Sequence, residues 1–110
     1  MTVWTCRPEV PLEARAATRT LLQCIGEEIF VEKEDYIDMA TAISGTGPAY
    51  YLMIMESMID AGVHMGLSRD MAHKMVLATM TGTVALANRT GTHPVQLRND
   101  ITSPGLCSAD

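Results

Sequence analysis

At 110 residues, with 13 acidic against 8 basic side chains and a formal charge of −5, the chain is a single modest domain with an acidic balance. Its basic residues form no cluster that could follow a phosphate backbone, which argues against nucleic acid as a partner. The apolar fraction of 47% is ordinary, but only 5% is aromatic and nine residues are methionine, a composition suited to a soft, adaptable core or interface. A domain this small leaves much of its surface uncovered, so part of its stability is expected from a partner copy.

The longest apolar run, Ala49 to Ala61, is broken by Glu56 and Asp60, so no bilayer span is expected. The start shows no basic stretch followed by an apolar h-region, which argues against a signal peptide. A cytoplasmic protein is the expectation, with an organellar one left open. Cys6, Cys24 and Cys107 are scattered, odd in number and without metal-ligand spacing, so neither a disulfide nor a metal is expected.

In chain order, Thr2-Val3-Trp4 reads as a short strand. Pro8 and Pro11 precede a helical run from Leu12 to Ile25, which Gly26 ends. Ile29-Phe30-Val31 reads as a second short strand whose one available partner is the Val3 region. From Lys33 onward the pattern is helical. Asp35 is placed to cap a segment reaching about Ile43, the Ser44 to Gly47 turn interrupts it, and Pro48 restarts a helix over Ala49 to about Met65. That helix carries Leu52, Met55, Met58, Ile59 and Val63 on one stripe, widened by Met53 and Ile54, a breadth that implies burial on more than one side. Ser68 is placed to cap a third helix, Arg69 to about Arg89, which Thr90-Gly91 stops. Pro94 then opens a short helix to about Asn99, leading into a turn over Ile101 to Gly105.

No Gly-x-Gly-x-x-Gly follows a strand, and no Walker lysine, zinc-type cluster or Gly-x-Ser-x-Gly elbow occurs. The ending Leu97-Arg98-Asn99-Asp100-Ile101-Thr102-Ser103-Pro104-Gly105 gathers hydroxyls, amides and a turn, and reads either as a grip for a small anion or as a plain turn and tail. Glu56 and Asp60 share a helix face as solvated carboxylates, or in a contact with His64, rather than as metal ligands. His64, His73 and His93 lack an orienting carboxylate, and His93 before Pro94 reads as a loop residue. In the Ser44 to Tyr50 block the helix-starting role of Pro48 nearly suffices, with anion binding at the helix N-terminus as the lesser reading.

The blocks Ser44-Gly45-Thr46-Gly47-Pro48-Ala49-Tyr50, Asp60-Ala61-Gly62-Val63-His64-Met65-Gly66-Leu67, Thr90-Gly91-Thr92-His93-Pro94-Val95-Gln96-Leu97 and the ending quoted above occur in that order. Together, over roughly residues 8 to 105, they resemble the C-terminal domain of pyrroline-5-carboxylate reductases. The resemblance implies a mainly α fold: a helical dimerisation domain of the 6-phosphogluconate dehydrogenase C-terminal-like type over 33–110, truncated at its C-terminus. Residues 1–32 would be a remnant of a Rossmann domain whose cofactor-binding part is absent. The implied reaction is metal-free hydride transfer from NADPH or NADH to 1-pyrroline-5-carboxylate, giving proline, in a homodimer or higher oligomer that takes a small cyclic imino acid. Carried onto this chain, Ile101 flanks the pocket, Ser103 and Gly105 contact the substrate carboxylate, and Asn99 and Asp100 lie near the nicotinamide ribose or cap a helix and turn. The family continues with a second glycine, a threonine or alanine, and a threonine bonded to the substrate ring nitrogen. Here those places hold Leu106, Cys107 and Ser108. Ser108 keeps a hydroxyl in the catalytic place, whereas Leu106 adds a Cβ and bulk beside it. The chain alone is accordingly expected to be inactive, and the alternative is a non-catalytic helical module that associates with full-length subunits.

Overall fold

The computed structural model describes residues 1–102. Among them the fold is mainly α, with five α-helices and one π-helical turn against two strands of three residues each. The chain divides into two compact units, residues 1–53 and the part from Ile54 onward.

The first unit opens on a βαβ arrangement. Strand β1 (Thr2–Trp4) and strand β2 (Glu28–Phe30) pair in parallel with Thr2 opposite Glu28, Val3 opposite Ile29 and Trp4 opposite Phe30. Helix α1 (Leu12–Gln23) supplies the crossover that parallel strands require. The Val3 region is thus the partner that the sequence offered, but β2 begins one residue earlier than its apolar run. Pairing sets the limits: Thr2 N–H donates to the Glu27 carbonyl at 2.8 Å and Val31 N–H to that of Trp4 at 2.9 Å. Glu28 earns its place through its side chain, which accepts from Trp4 Nε1 at 2.7 Å and pairs with Arg19 at 3.1 Å. The Trp4 and Phe30 rings meet edge to face, centroids 4.9 Å apart. Helix α1 ends two residues before Ile25, because the Cys24 and Ile25 N–H groups turn back to Leu21 and Leu22 in tight i→i−3 bonds.

Helix α2 (Asp35–Ala40) runs into a π-helical turn (Thr41–Gly45), and helix α3 (Gly47–His64) follows after Thr46 alone. Asp35 is the first helical residue rather than the cap, a position held by Glu34 without a side-chain bond. The expected break at Ser44 to Gly47 is instead a widened turn of helix, closed by Thr46 N–H to the Thr41 carbonyl at 2.8 Å. Pro48 has no N–H for the Ser44 carbonyl, so the regular ladder cannot continue through it.

In the second unit α3 ends at His64, and helix α4 (Arg69–Thr90) starts where Ser68 accepts from Met71 N–H at 3.3 Å. Gly91 closes α4 in the left-handed region, φ 62°, with its N–H on the Ala87 carbonyl. Helix α5 (Pro94–Ile101) completes the described chain. The core of this unit is small: Ala72 and Val76 are 2% and 6% exposed, and Gly62 of α3 is buried with them. A Cβ built on Gly62 would lie 3.0 Å from that of Ala72, so α3 and α4 approach closely through two small residues.

Candidate functional site

The segment singled out in the sequence begins on α5, and the structure describes its first half. Pro94 occupies the first helical turn, where a missing N–H costs nothing. The residue before a proline is pushed to extended backbone, and His93 sits at φ −58°, ψ 134° as the N-cap. Its Nδ1 accepts from Val95 N–H at 3.3 Å, and its carbonyl accepts from the N–H groups of Gln96 and Leu97. His93 stays in the connection between α4 and α5, as the loop reading has it, and serves there as the cap. The signal for it was present, since a proline at the first helical position makes the preceding residue the cap.

Asn99 and Asp100 also differ from expectation, for both lie within the helix rather than in a cap or turn. Asp100 Oδ1 accepts from Gln96 Nε2 at 2.7 Å, one turn back, while Asn99 Oδ1 accepts from Arg98 at 3.4 Å. The helix runs to Ile101, two residues past the expected end, because Thr102 continues the ladder. Its N–H reaches the carbonyls of Arg98 and Asn99, and its hydroxyl donates to Arg98 at 2.8 Å. Ile101 is exposed at the last position of α5. Ser103, Gly105 and Ser108, with Leu106 and Cys107, lie outside the described residues.

In the Ser44 to Tyr50 block, Pro48 is the second residue of α3 and the stretch before it stays wound. Ser44 Oγ donates to the Ala40 carbonyl at 2.9 Å and Thr41 Oγ1 to that of Ile37 at 2.9 Å, so these hydroxyls serve the carbonyls around the widened turn. Of the two carboxylates on α3, Asp60 has a partner within the chain. Asp60 pairs with Arg69 at 2.9 Å across the α3–α4 connection, and His64 Nδ1 lies 2.8 Å from the Asp60 carbonyl rather than from its side chain. No cluster of His, Cys, Asp and Glu suited to a metal occurs among the described residues. Cys6 and Cys24 are free thiols. No helix among the described residues is long and apolar enough to cross a membrane.

Hollows accompany these features, among them one of about 430 Å³ beside Thr5, Cys6, Arg7, Pro8, Glu32 and Glu34 and two that bear on the elements above. One of about 260 Å³ lies in the first unit between α1 and the strands, lined by Trp4, Leu12, Arg15, Ala16, Arg19 and Phe30. Arg19 is held by Glu28, and Arg15 donates to the carbonyls of Val10 and Pro8, so both guanidiniums already have partners within the chain. The other, of about 190 Å³, follows the α3–α4 seam past Met58, Gly62, Leu67, Ala72, Val76 and Thr79 and is apolar.

More conspicuous is the surface left uncovered. Tyr50, Tyr51, Leu52 and Met53 are all exposed. Four consecutive helical residues span a full turn around the axis, so this turn of α3 presents exposed apolar and aromatic side chains all round. On α4, Met71, Met75 and Val84 are 52%, 54% and 68% exposed. Apolar area on this scale is the mark of an interaction surface rather than of an isolated monomer.

Residues 34–110 match the family model described as pyrroline-5-carboxylate reductase dimerisation. A pyrroline-5-carboxylate reductase of Pseudomonas aeruginosa is 40% identical over 84 residues, which are 76% of this chain and 31% of that protein. One of Synechocystis is 35% identical over 105 residues, 96% of this chain and 39% of the relative. Among solved structures, the Plasmodium falciparum pyrroline carboxylate reductase with NADP bound superposes with a TM-score of 0.88 at 35% identity, covering 98% of this chain and 44% of that one. The Streptococcus pyogenes enzyme gives 0.89 at 26% identity, over 97% and 41%. The chain thus spans about a third of the length of the curated relatives it matches.

Proposed function

The chain belongs to the pyrroline-5-carboxylate reductase dimerisation family, and on that premise we propose that it is the dimerising and substrate-gripping part of a pyrroline-5-carboxylate reductase. The reaction of such an enzyme is reduction of the cyclic imine 1-pyrroline-5-carboxylate to proline, with NADPH or NADH supplying the hydride when bound. Asn99, Asp100 and Ile101 are assigned to the cofactor and substrate side of that site, Ser103 and Gly105 to the substrate carboxylate, and Ser108 to the ring nitrogen.

The first unit offers no cradle for a dinucleotide's phosphates, so only the nicotinamide end of the cofactor is assigned to residues of this chain. The β1–α1 connection holds two prolines, the acidic Glu9 and no glycine, where a Rossmann turn would bring bare backbone N–H groups to a pyrophosphate. No step through the nicotinamide is therefore derived from this chain. Its role in the proposal is assembly and orientation, which is where proteins of this kind add to their cofactor's chemistry.

The observation that carries the proposal is the exposed apolar surface of α3 and α4, which persists although the two helices already pack on each other at Gly62 and Ala72. Light scattering on the purified 110-residue chain is expected to give a dimer or larger assembly, and a strictly monomeric chain would count against the dimerising role. Imine turnover with NADPH is expected to be absent, and turnover by the chain alone would overturn the division of labour. The same surfaces favour a second reading, a non-catalytic module seated on full-length subunits. Mixing the chain with a full-length relative distinguishes them, since only the second reading requires a stable mixed oligomer.

A further inference from the structure

We propose that His93 is a positioning residue for the Asn99, Asp100 and Ile101 end of α5. The assignment of those three residues rests on the function proposed above, whereas the capping chain that leads to them does not.

A helix of eight residues has barely two turns, and its first N–H groups have no partner within the helix. Asn, Asp, Ser and Thr usually fill this need, each by placing one side-chain acceptor over the N–H two or three residues on. His93 does the same with a ring nitrogen: Nδ1 accepts from Val95 N–H at 3.3 Å, and Pro94 holds the histidine in the extended backbone that a cap requires. An acceptor at Nδ1 means that the proton of the neutral ring sits on Nε2.

The third helical position is Gln96, where a glutamine in a capping box would reach back to the cap's own N–H. Here it reaches forward. Gln96 Nε2 donates to Asp100 Oδ1 at 2.7 Å, and Thr102 then ties its N–H and hydroxyl to Arg98. Gln96 links the two ends: its N–H donates to the carbonyl of the capping His93 and its side chain to the Asp100 carboxylate, while the Thr102 bonds close the last turn separately. Loosening the first turn releases the residue that aims Asp100.

The test uses the full 110-residue chain, labelled with ¹⁵N, in three variants. His93→Ala removes the ring, His93→Phe keeps a ring without an acceptor, and His93→Asn restores a favoured cap on a different side chain. Amide exchange from Val95 to Thr102 is expected to be about fivefold faster in the alanine and phenylalanine variants and to return to the wild-type rate with asparagine. In the wild-type imidazole spectrum Nε2 is expected to carry the proton. Wild-type exchange in His93→Phe, a change confined to Val95, or an Nδ1–H ring would overturn the proposal. These readings decide it whether or not proline binds. A proline titration of the wild-type chain, followed by chemical shift, reports separately on the function proposed above.

Discussion

Gly62 has no side chain, and α4 uses the space. A Cβ at this position would meet Ala72 Cβ at 3.0 Å and Leu67 Cδ1 at 3.5 Å, and Ala72 is only 2% exposed. Helix propensity alone would favour alanine over glycine, so the sign of Gly62→Ala depends on whether the seam can open. Ala72 is backed by a helix and cannot rotate away, so the seam must widen. Gly62→Ala is expected to destabilise the chain by about 1–2 kcal/mol in chemical denaturation, as modest overpacking does, and Ala72→Gly added to it should restore part of the loss. An unchanged or raised midpoint would show that the seam is looser than its geometry. By contrast, the Asp60–Arg69 pair nearby has both side chains about half exposed or more. Asp60→Asn is expected to cost no more than about 0.5 kcal/mol by the same measurement. The close approach of Gly62 was not legible, because a glycine inside an apolar helix reads as a mere weakness until its neighbour is known.

The limits of α4 and the start of α5 were easier to read than the start of α2 or the join of α2 to α3. Ser68 before Arg69, Pro94 and Gly91 each act through their own covalent structure: a short acceptor, a missing N–H and a missing Cβ. Ser68→Ala is accordingly expected to lower stability by about 1 kcal/mol, with faster amide exchange confined to the first turn of α4, and uniform exchange along α4 would argue against a capping role. Ser44 to Gly47, where the π-helical turn Thr41–Gly45 closes and α3 begins, was read as a break, since Gly45, Gly47 and Pro48 are all breakers taken singly. What keeps the chain wound is the wide Thr46 to Thr41 bond together with the Thr41 and Ser44 hydroxyls on carbonyls one turn back, a set of pairings that no single residue announces. The one-residue shift of β2 has a similar origin, because Glu28 joins the strand through Trp4 and Arg19, which are remote in sequence. At the candidate site, the sequence reading took the helix to about Asn99 and put Ile101 in the turn beyond it, with Asn99, Asp100 and Ile101 singled out by the family resemblance. Their placement inside that helix was not legible, since it depends on Gln96 and Thr102 closing bonds one turn away.

For the whole molecule the deciding fact is that α4 exposes apolar residues on different sides of its axis. Met71 and Val84 are separated by thirteen positions, which at 3.6 residues per turn puts them well over a third of a turn apart, yet both are more than half exposed. A helix with one apolar stripe can be satisfied by its own chain, whereas one open on two sides needs cover from another. Under the proposed assembly a second copy provides it. The prediction follows from charge: in a single copy Met71→Glu and Val84→Glu stand at exposed positions and should change folding by less than about 0.5 kcal/mol, with helicity by circular dichroism retained. In the assembly each would bury an unpaired carboxylate, a loss of about 3 kcal/mol or more, which weakens association by roughly a hundredfold or more. Sedimentation of each variant across a dilution series is expected to show folded monomer at concentrations where the parent chain is associated. Variants that remain as associated as the parent would show that α4 is covered by something other than a second copy, and a loss of helicity in step with dissociation would show that the chain has no folded monomer to release.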